Sequence, residues 1–162
     1  MSRELKLTIE LIPRELWYKS LYRILNEKGQ IGKWKEIKKD LFLKEGRKCW
    51  ICGSLNPPFE AHEFWGYKKR KKQVLIGIHH LCSLCHKIKH FAFWTGTIQG
   101  RESLGKSGIT KDDLIKHFCK VNNSSKRVFF DYWDEVMETW IERSGREWKQ
   151  DFGNYQNYLT NL

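Results

Sequence analysis

Apolar residues recur every three or four places in several stretches of this chain, and each such stretch predicts a helix. From Arg14 to about Asn26, the residues Leu16, Trp17, Leu21, Ile24 and Leu25 form one apolar stripe, closed by Gly29. Lys33 to about Leu43 repeats the pattern with Trp34, Ile37 and Leu41. Thr110-Lys111-Asp112-Asp113 has the form of a helix cap leading to about Val121, Asn122-Asn123-Ser124-Ser125 breaks the chain, and Arg127 to Glu142 predicts a last long helix. Alternation marks the strands. Phe59 to Trp65 and Gln73 to Leu81 read as partners in a hairpin, followed by a helix from about Ser83 to Phe91. Leu5 to Ile12 alternates enough for a short strand or extended arm, ended by Pro13, and the glycines from Gly96 to Gly108 predict a loop.

Helices around a strand pair give an α+β fold. With 162 residues and 40% apolar content there is material for one ordinary core, so the chain reads as one compact unit. Its parts are an N-terminal strand and helical arm over 1–47, a central module over 48–95, and a loop with C-terminal helices packing on it over 96–162. The eight tryptophans follow this plan: Trp17, Trp34, Trp133 and Trp140 sit at helical spacing and read as core, whereas Trp65 and Trp94 flank the central module as candidates to stack on a nucleotide.

Charge adds a class of partner. Thirty Lys and Arg against 19 Asp and Glu leave a formal charge of +11, enough to steer the protein toward a polyanion. DNA is the expected partner and RNA the next. The densest cluster, Lys68, Lys69, Arg70, Lys71 and Lys72, falls at the predicted hairpin tip, where it is a candidate phosphate grip or a solvated turn. No apolar run reaches membrane-spanning length and the N-terminus has no apolar signal region, so the expected setting is cytoplasmic, with no membrane partner.

The chemistry lies in the central module. Cys49-Trp50-Ile51-Cys52 and Cys82-Ser83-Leu84-Cys85 are two C-x2-C pairs, the bite of a tetrahedral Zn2+ site, and a reducing cytosol suits thiols that hold metal. A site closed by Cys49, Cys52, Cys82 and Cys85 folds the chain and activates nothing. The alternative reading of Cys82 to His86, a C-x2-C-H haem attachment, needs export to an oxidising compartment, for which no signal is seen. His86 and His90 stand at i, i+4 on the predicted helix, one face of one turn, and with His62 can gather a second, catalytic metal. His79, His80 and His117 read as structural, and Cys119 as a buried apolar residue.

The order C-x2-C-G, A-H-E-F-W, a hydrophobic strand and L-C-x2-C-H-x3-H resembles the HNH endonucleases of the ββα-metal type, in the zinc-knuckle form found in bacteria and phages. The likeness extends to Ile12-Pro13, Trp17, Trp34 and Ile37 ahead of the knuckle and to Gly96, Gly100-Arg101 and Val121-Asn122 behind it, with Lys48 to Phe91 as its specific part. It implies a zinc-stapled ββα-metal core with flanking helices, acting as a metal-dependent endonuclease that hydrolyses phosphodiester bonds in DNA. It also implies structural Zn2+ on the cysteines and Mg2+ or another divalent ion as catalytic cofactor, held partly by His86 and His90.

Two assignments of the base stay open under that resemblance. In the adopted one, His62 takes a proton from water and Glu63 or His86 completes the metal shell that Ala61 leaves short. In the other, His62 is the ligand and Glu63 the base. The middle Asn of the family pattern is absent, and His79 or His80 is the expected substitute holding the base in orientation. Relatives tend to carry acidic residues where this chain has its basic tip. A catalytically inactive HNH-like zinc module that binds nucleic acid or a protein partner is the alternative function.

Overall fold

The computed structural model describes residues 4–162. Two long strands, β1 (Phe59–Lys68) and β2 (Lys72–Cys82), form the antiparallel hairpin that the alternation predicts, and both run further than the sequence pattern indicates. A short third strand, β3 (Lys149–Asp151), pairs parallel to β2 from Lys72 to Val74, giving the sheet order β1-β2-β3. β1 is thus left as an edge among the described residues. The helices are α1 (Leu21–Glu27), α2 (Ile31–Glu45), α3 (Ser83–Lys89), α4 (Phe91–Gly96), α5 (Ile98–Lys106), α6 (Lys111–Val121) and α7 (Lys126–Arg143). The observed architecture is α+β.

The register of the hairpin carries one irregularity with consequences for the core. Phe64 pairs with Gly77 but Trp65 pairs with Leu75, so Ile76 is an extra residue on β2 and stands exposed. Strict alternation would send Leu75 and Ile78 to opposite faces; the bulge returns both to one cluster with Leu21, Leu25, Trp34, Ile37, Leu41 and Phe152. A second cluster gathers Leu7, Ile9, Leu81, Ile88, Phe91, Leu114, Phe118 and Phe129 around the cysteines. The hairpin is therefore the wall that two apolar clusters share.

Three sequence expectations are corrected here. The helix expected over Arg14 to Asn26 breaks: a 3-10 turn (Arg14–Leu16) is followed by Tyr18 at a φ of 64°, and α1 starts afresh under the Ser20 cap. That break turns Trp17 outward, 49% exposed, where a core position was expected. The loop expected from Gly96 to Gly108 is largely α5. Gly100 is the reason a glycine stands in it, because a Cβ there would lie 2.1 Å from the Phe93 carbonyl oxygen where α4 and α5 cross. The predicted capping box at Thr110 and Asp113 forms as expected and starts α6.

Leu5 to Ile12 takes the second of its two forms, an extended arm without regular strand pairing. It is fastened by side chains from far along the chain. Asn122 both donates to the Leu7 carbonyl and accepts from its N–H, at 2.9 Å each, and the Tyr132 hydroxyl accepts from Ile9 N–H. Trp140 Nε1 donates to the Ile12 carbonyl, and Glu10 N–H donates to the Lys89 carbonyl. This seating carries the Glu10 side chain to β1.

Candidate metal centre

Cys49 and Cys52 lie on the loop before β1, Cys82 ends β2 and Cys85 lies on α3, so the cysteine cluster ties the loop, the hairpin and the helix together. Their four sulfur atoms all fall within 4.8 Å of one another, and Cys52 and Cys82 are 3.7 Å apart. Sulfurs on a tetrahedral ion with bonds near 2.3 Å stand about 3.8 Å apart, so the donor set fits Zn2+. Without a cation the thiols compete for charge: hydrogen bonds from Cys82 and Cys85 lower the Cys49 thiol, while those same bonds push Cys82 up to about 11 and Cys85 further in that direction. Four thiolates need a cation among them. His117, read from sequence as structural, comes to 3.3 Å of Cys85 Sγ through Nε2; burial lowers its pKa, and a neutral ring there donates N–H to the sulfur.

A second cluster forms beside the first. His62 on β1, His86 on α3 and His90 just after it bring ring nitrogens within 4.8 Å of one another. His62 and His90 have ring centres 4.9 Å apart, and His86 and His90 4.8 Å. Two of the three have one nitrogen occupied by a carboxylate. Glu10 Oε2 lies 2.8 Å from His62 Nε2, and Glu60 Oε2 lies 2.7 Å from His86 Nδ1. A neutral ring that donates N–H on one side keeps its lone pair on the other, so the Glu10 contact leaves Nδ1 of His62 as an acceptor, while the Glu60 contact holds His86 by Nδ1 and leaves its Nε2 free of that carboxylate.

Electrostatics favour neutral rings. Burial lowers His62 well below its ordinary value, and burial, with His62 and His86 nearby, lowers His90 to about 3. Burial also raises Glu10 to about 7, against a lowering contribution from Lys89 and a hydrogen bond from Trp65 N–H. The 2.8 Å contact of Glu10 with His62 is therefore a hydrogen bond to an uncharged ring, although its distance meets an ion-pair criterion. Two neutral imidazoles, His62 and His90, beside the His86 ring offer nitrogen donors of the kind a divalent ion takes.

Other sequence candidates are placed elsewhere. Glu63 follows His62 on a strand and so turns to the other side, where its carboxylate accepts from the N–H groups of Leu21 and Tyr22 at the start of α1. That corrects the expectation that Glu63 completes the shell or acts as base, since both oxygens are engaged; burial raises its pKa to about 7. His79 and His80 do not hold His62. His79 Nδ1 meets Glu45 at 2.7 Å under Trp50, and His80 stacks on Phe42 at 3.7 Å with neither ring nitrogen partnered. Glu10 holds His62 instead, a residue that no spacing in the sequence marks.

The basic cluster sits at the hairpin tip, between the end of β1 and the start of β2, as expected. Six residues of strand separate His62 from Lys68, or about 20 Å at 3.4 Å per residue, so Lys68, Lys69, Arg70 and Lys71 are not beside the histidines. Lys72 is paired with Asp151 at 2.9 Å. Trp65 is half-buried against Phe152, while Trp94 lines the groove that holds the histidines and receives Lys87 over its ring.

No helix among the described residues is long and apolar enough to cross a membrane. No family model matches the chain, and no curated protein or solved structure is significantly similar to it.

Proposed function

We propose that this protein is a metal-dependent endonuclease of the HNH type that hydrolyses phosphodiester bonds in DNA. The observation that carries the reading is the gathering of His62, His86 and His90 on a hairpin and helix that four cysteines fasten together. His86 and His90 would hold a divalent ion, which supplies Lewis-acid stabilisation of the charge that develops on the scissile phosphate and the leaving oxygen. His62 is the general base. Its burial keeps the ring neutral, Glu10 fixes the proton on Nε2, and Nδ1 is left to accept the proton of a water. Glu60 does for His86 what Glu10 does for His62, orienting the ring so that Nε2 presents its lone pair. In this reading the cysteine zinc is structural.

Cleavage of supercoiled plasmid and of circular single-stranded DNA, with Mg2+, Mn2+, Ni2+ or Zn2+ added in turn, tests the proposal. His62→Ala should lose roughly a hundredfold or more of the rate, with partial recovery at high pH where hydroxide needs no base. His86→Ala should raise the divalent-ion concentration needed, with no recovery at high pH, and Glu63→Gln should leave cleavage near normal. Wild-type protein that binds nucleic acid yet cuts none with any of these ions would overturn the enzyme and leave a binding module.

A further inference from the structure

The histidine cluster opens onto a groove of about 1010 Å³ that runs along the free edge of β1. Its walls carry exposed aromatic side chains. Trp17, Tyr18 and Tyr22 on one side are 49%, 70% and 40% exposed, and Phe93 on α4 is 48% exposed. Outside the groove Phe91, Phe118 and Phe129 are buried, while Trp50 and Phe130 are single half-exposed rings; only the groove gathers four of them. Exposed rings gathered in one groove leave apolar surface in water and call for a ligand that covers it. Arg23 and Lys38 line the same groove and meet no carboxylate among the described residues; Arg23 lies over the Tyr18 ring. The acidic groups there, Glu10, Glu60 and Glu63, are engaged with His62, His86 and the start of α1.

We infer that this groove binds single-stranded nucleic acid, with unstacked bases lying on Trp17 and Phe93 and the backbone phosphates met by Arg23 and Lys38, which rests on the nuclease reading only for what happens to the strand afterwards. Bases in a duplex have their faces covered by their neighbours and show only their edges. A wall of exposed rings therefore recognises a strand whose bases are already free, whatever their sequence. The depth of the site points the same way: His62 is 5% exposed at the floor of the groove, which suits a single strand threaded along it.

Fluorescence anisotropy on labelled 12-nucleotide oligo-dT, 12-nucleotide oligo-rU and a 12-base-pair mixed-sequence duplex tests this, without added divalent ion and with the cysteine zinc in place. Both single strands, or one of them, should bind at least tenfold tighter than the duplex; a preference between dT and rU assigns the strand type. Stacking on one ring corresponds to a loss of roughly 5- to 100-fold, so Trp17→Ala and Phe93→Ala should each weaken the single strand by that factor and leave the duplex unchanged. Because Trp17 also stacks on Trp140 and donates to the Ile12 carbonyl, Phe93→Ala provides the independent reading, with thermal melting to verify that each variant is folded. Duplex binding equal to or tighter than single-strand binding, or two folded variants that bind the single strand like wild type, would overturn the inference. Cleavage separates it from the nuclease reading: protein that binds single strands in this way and cuts nothing retires the enzyme alone.

Discussion

Glu10→Gln is the sharpest test of the histidine cluster, because it replaces one carboxylate oxygen by NH2 and keeps the shape. In the native arrangement Glu10 Oε1 accepts from Trp65 N–H at 3.0 Å, which fixes the other oxygen on His62 Nε2 at 2.8 Å. A glutamine keeps its carbonyl oxygen toward Trp65 and so turns its amide NH2 toward His62. That nitrogen can only donate, so His62 must offer a lone pair at Nε2 and carry its proton on Nδ1, the atom that has to accept from water. The fold should tolerate the change, since no buried group is orphaned; a penalty below about 1 kcal/mol shifts melting by about 2–4 °C for a chain of this size. Catalysis should not tolerate it. Losing a correctly poised base costs on the order of 10² to 10⁴ in rate, or about 3 to 5 kcal/mol of barrier at 1.36 kcal/mol per decade. Single-turnover cleavage at saturating divalent ion, at matched zinc content and from pH 6 to 9.5, reads the effect, and the deficit should narrow as pH rises. A rate within threefold of wild type would refute the orientation argument. A deficit cured by more divalent ion, with no narrowing at high pH, would make His62 a metal ligand.

The other expectations test separate parts of the structure. The protein should purify with about one zinc per chain by elemental analysis, and Cys49→Ser or Cys85→Ser should leave it largely unfolded by circular dichroism, because affinity for the ion is folding free energy. Serine at Lys68, Lys69, Arg70, Lys71 and Lys72 should lower the slope of log affinity against log salt by no more than about 4, with cleavage at saturating DNA unchanged, as the tip lies far from the histidines; a lost rate would place it in the site. His80 is lowered to about 4 by burial, so its neutral ring costs nothing above 6.5, the ordinary histidine value, and stability is lost as pH falls from there to 4. His80→Leu should abolish that part of the acid sensitivity, seen as a wild-type deficit in urea midpoint that grows from pH 7.5 to pH 5; a constant difference would contradict the buried neutral ring.

What the sequence makes legible here is whatever chemistry repeats at short range. Two C-x2-C pairs announce a gathering of four thiols, and His86 and His90 share a helix face by counting alone. Alternation finds both long strands. It does not find Ile76, because a bulge inserts a residue without changing composition, nor β3, which at three residues is too short for any period to register. Glycine count hides α5, since Gly100 is there for the close crossing with α4 and not for a turn. Glu63 looked like the natural neighbour of His62, but adjacent residues on a strand face opposite ways. Glu10 is 52 residues from His62, and nothing local marks it; Asn122, Tyr132, Trp140 and the Lys89 carbonyl hold the arm that carries it to β1.

That fastening imposes an order on assembly during synthesis. The arm with Glu10 is translated before every element it depends on, yet its anchors Asn122, Tyr132 and Trp140 are translated more than a hundred residues later. A nascent chain that has already released the hairpin, α3 and all four cysteines can bring those cysteines together while the arm still lacks three of its anchors, with only the Lys89 carbonyl and Trp65 N–H to meet Glu10. The histidine pocket is therefore completed by the helices that leave the ribosome last. A growing chain holds Glu10 against His62 with fewer anchors, and the full fastening of the arm exists only in a chain made through α7.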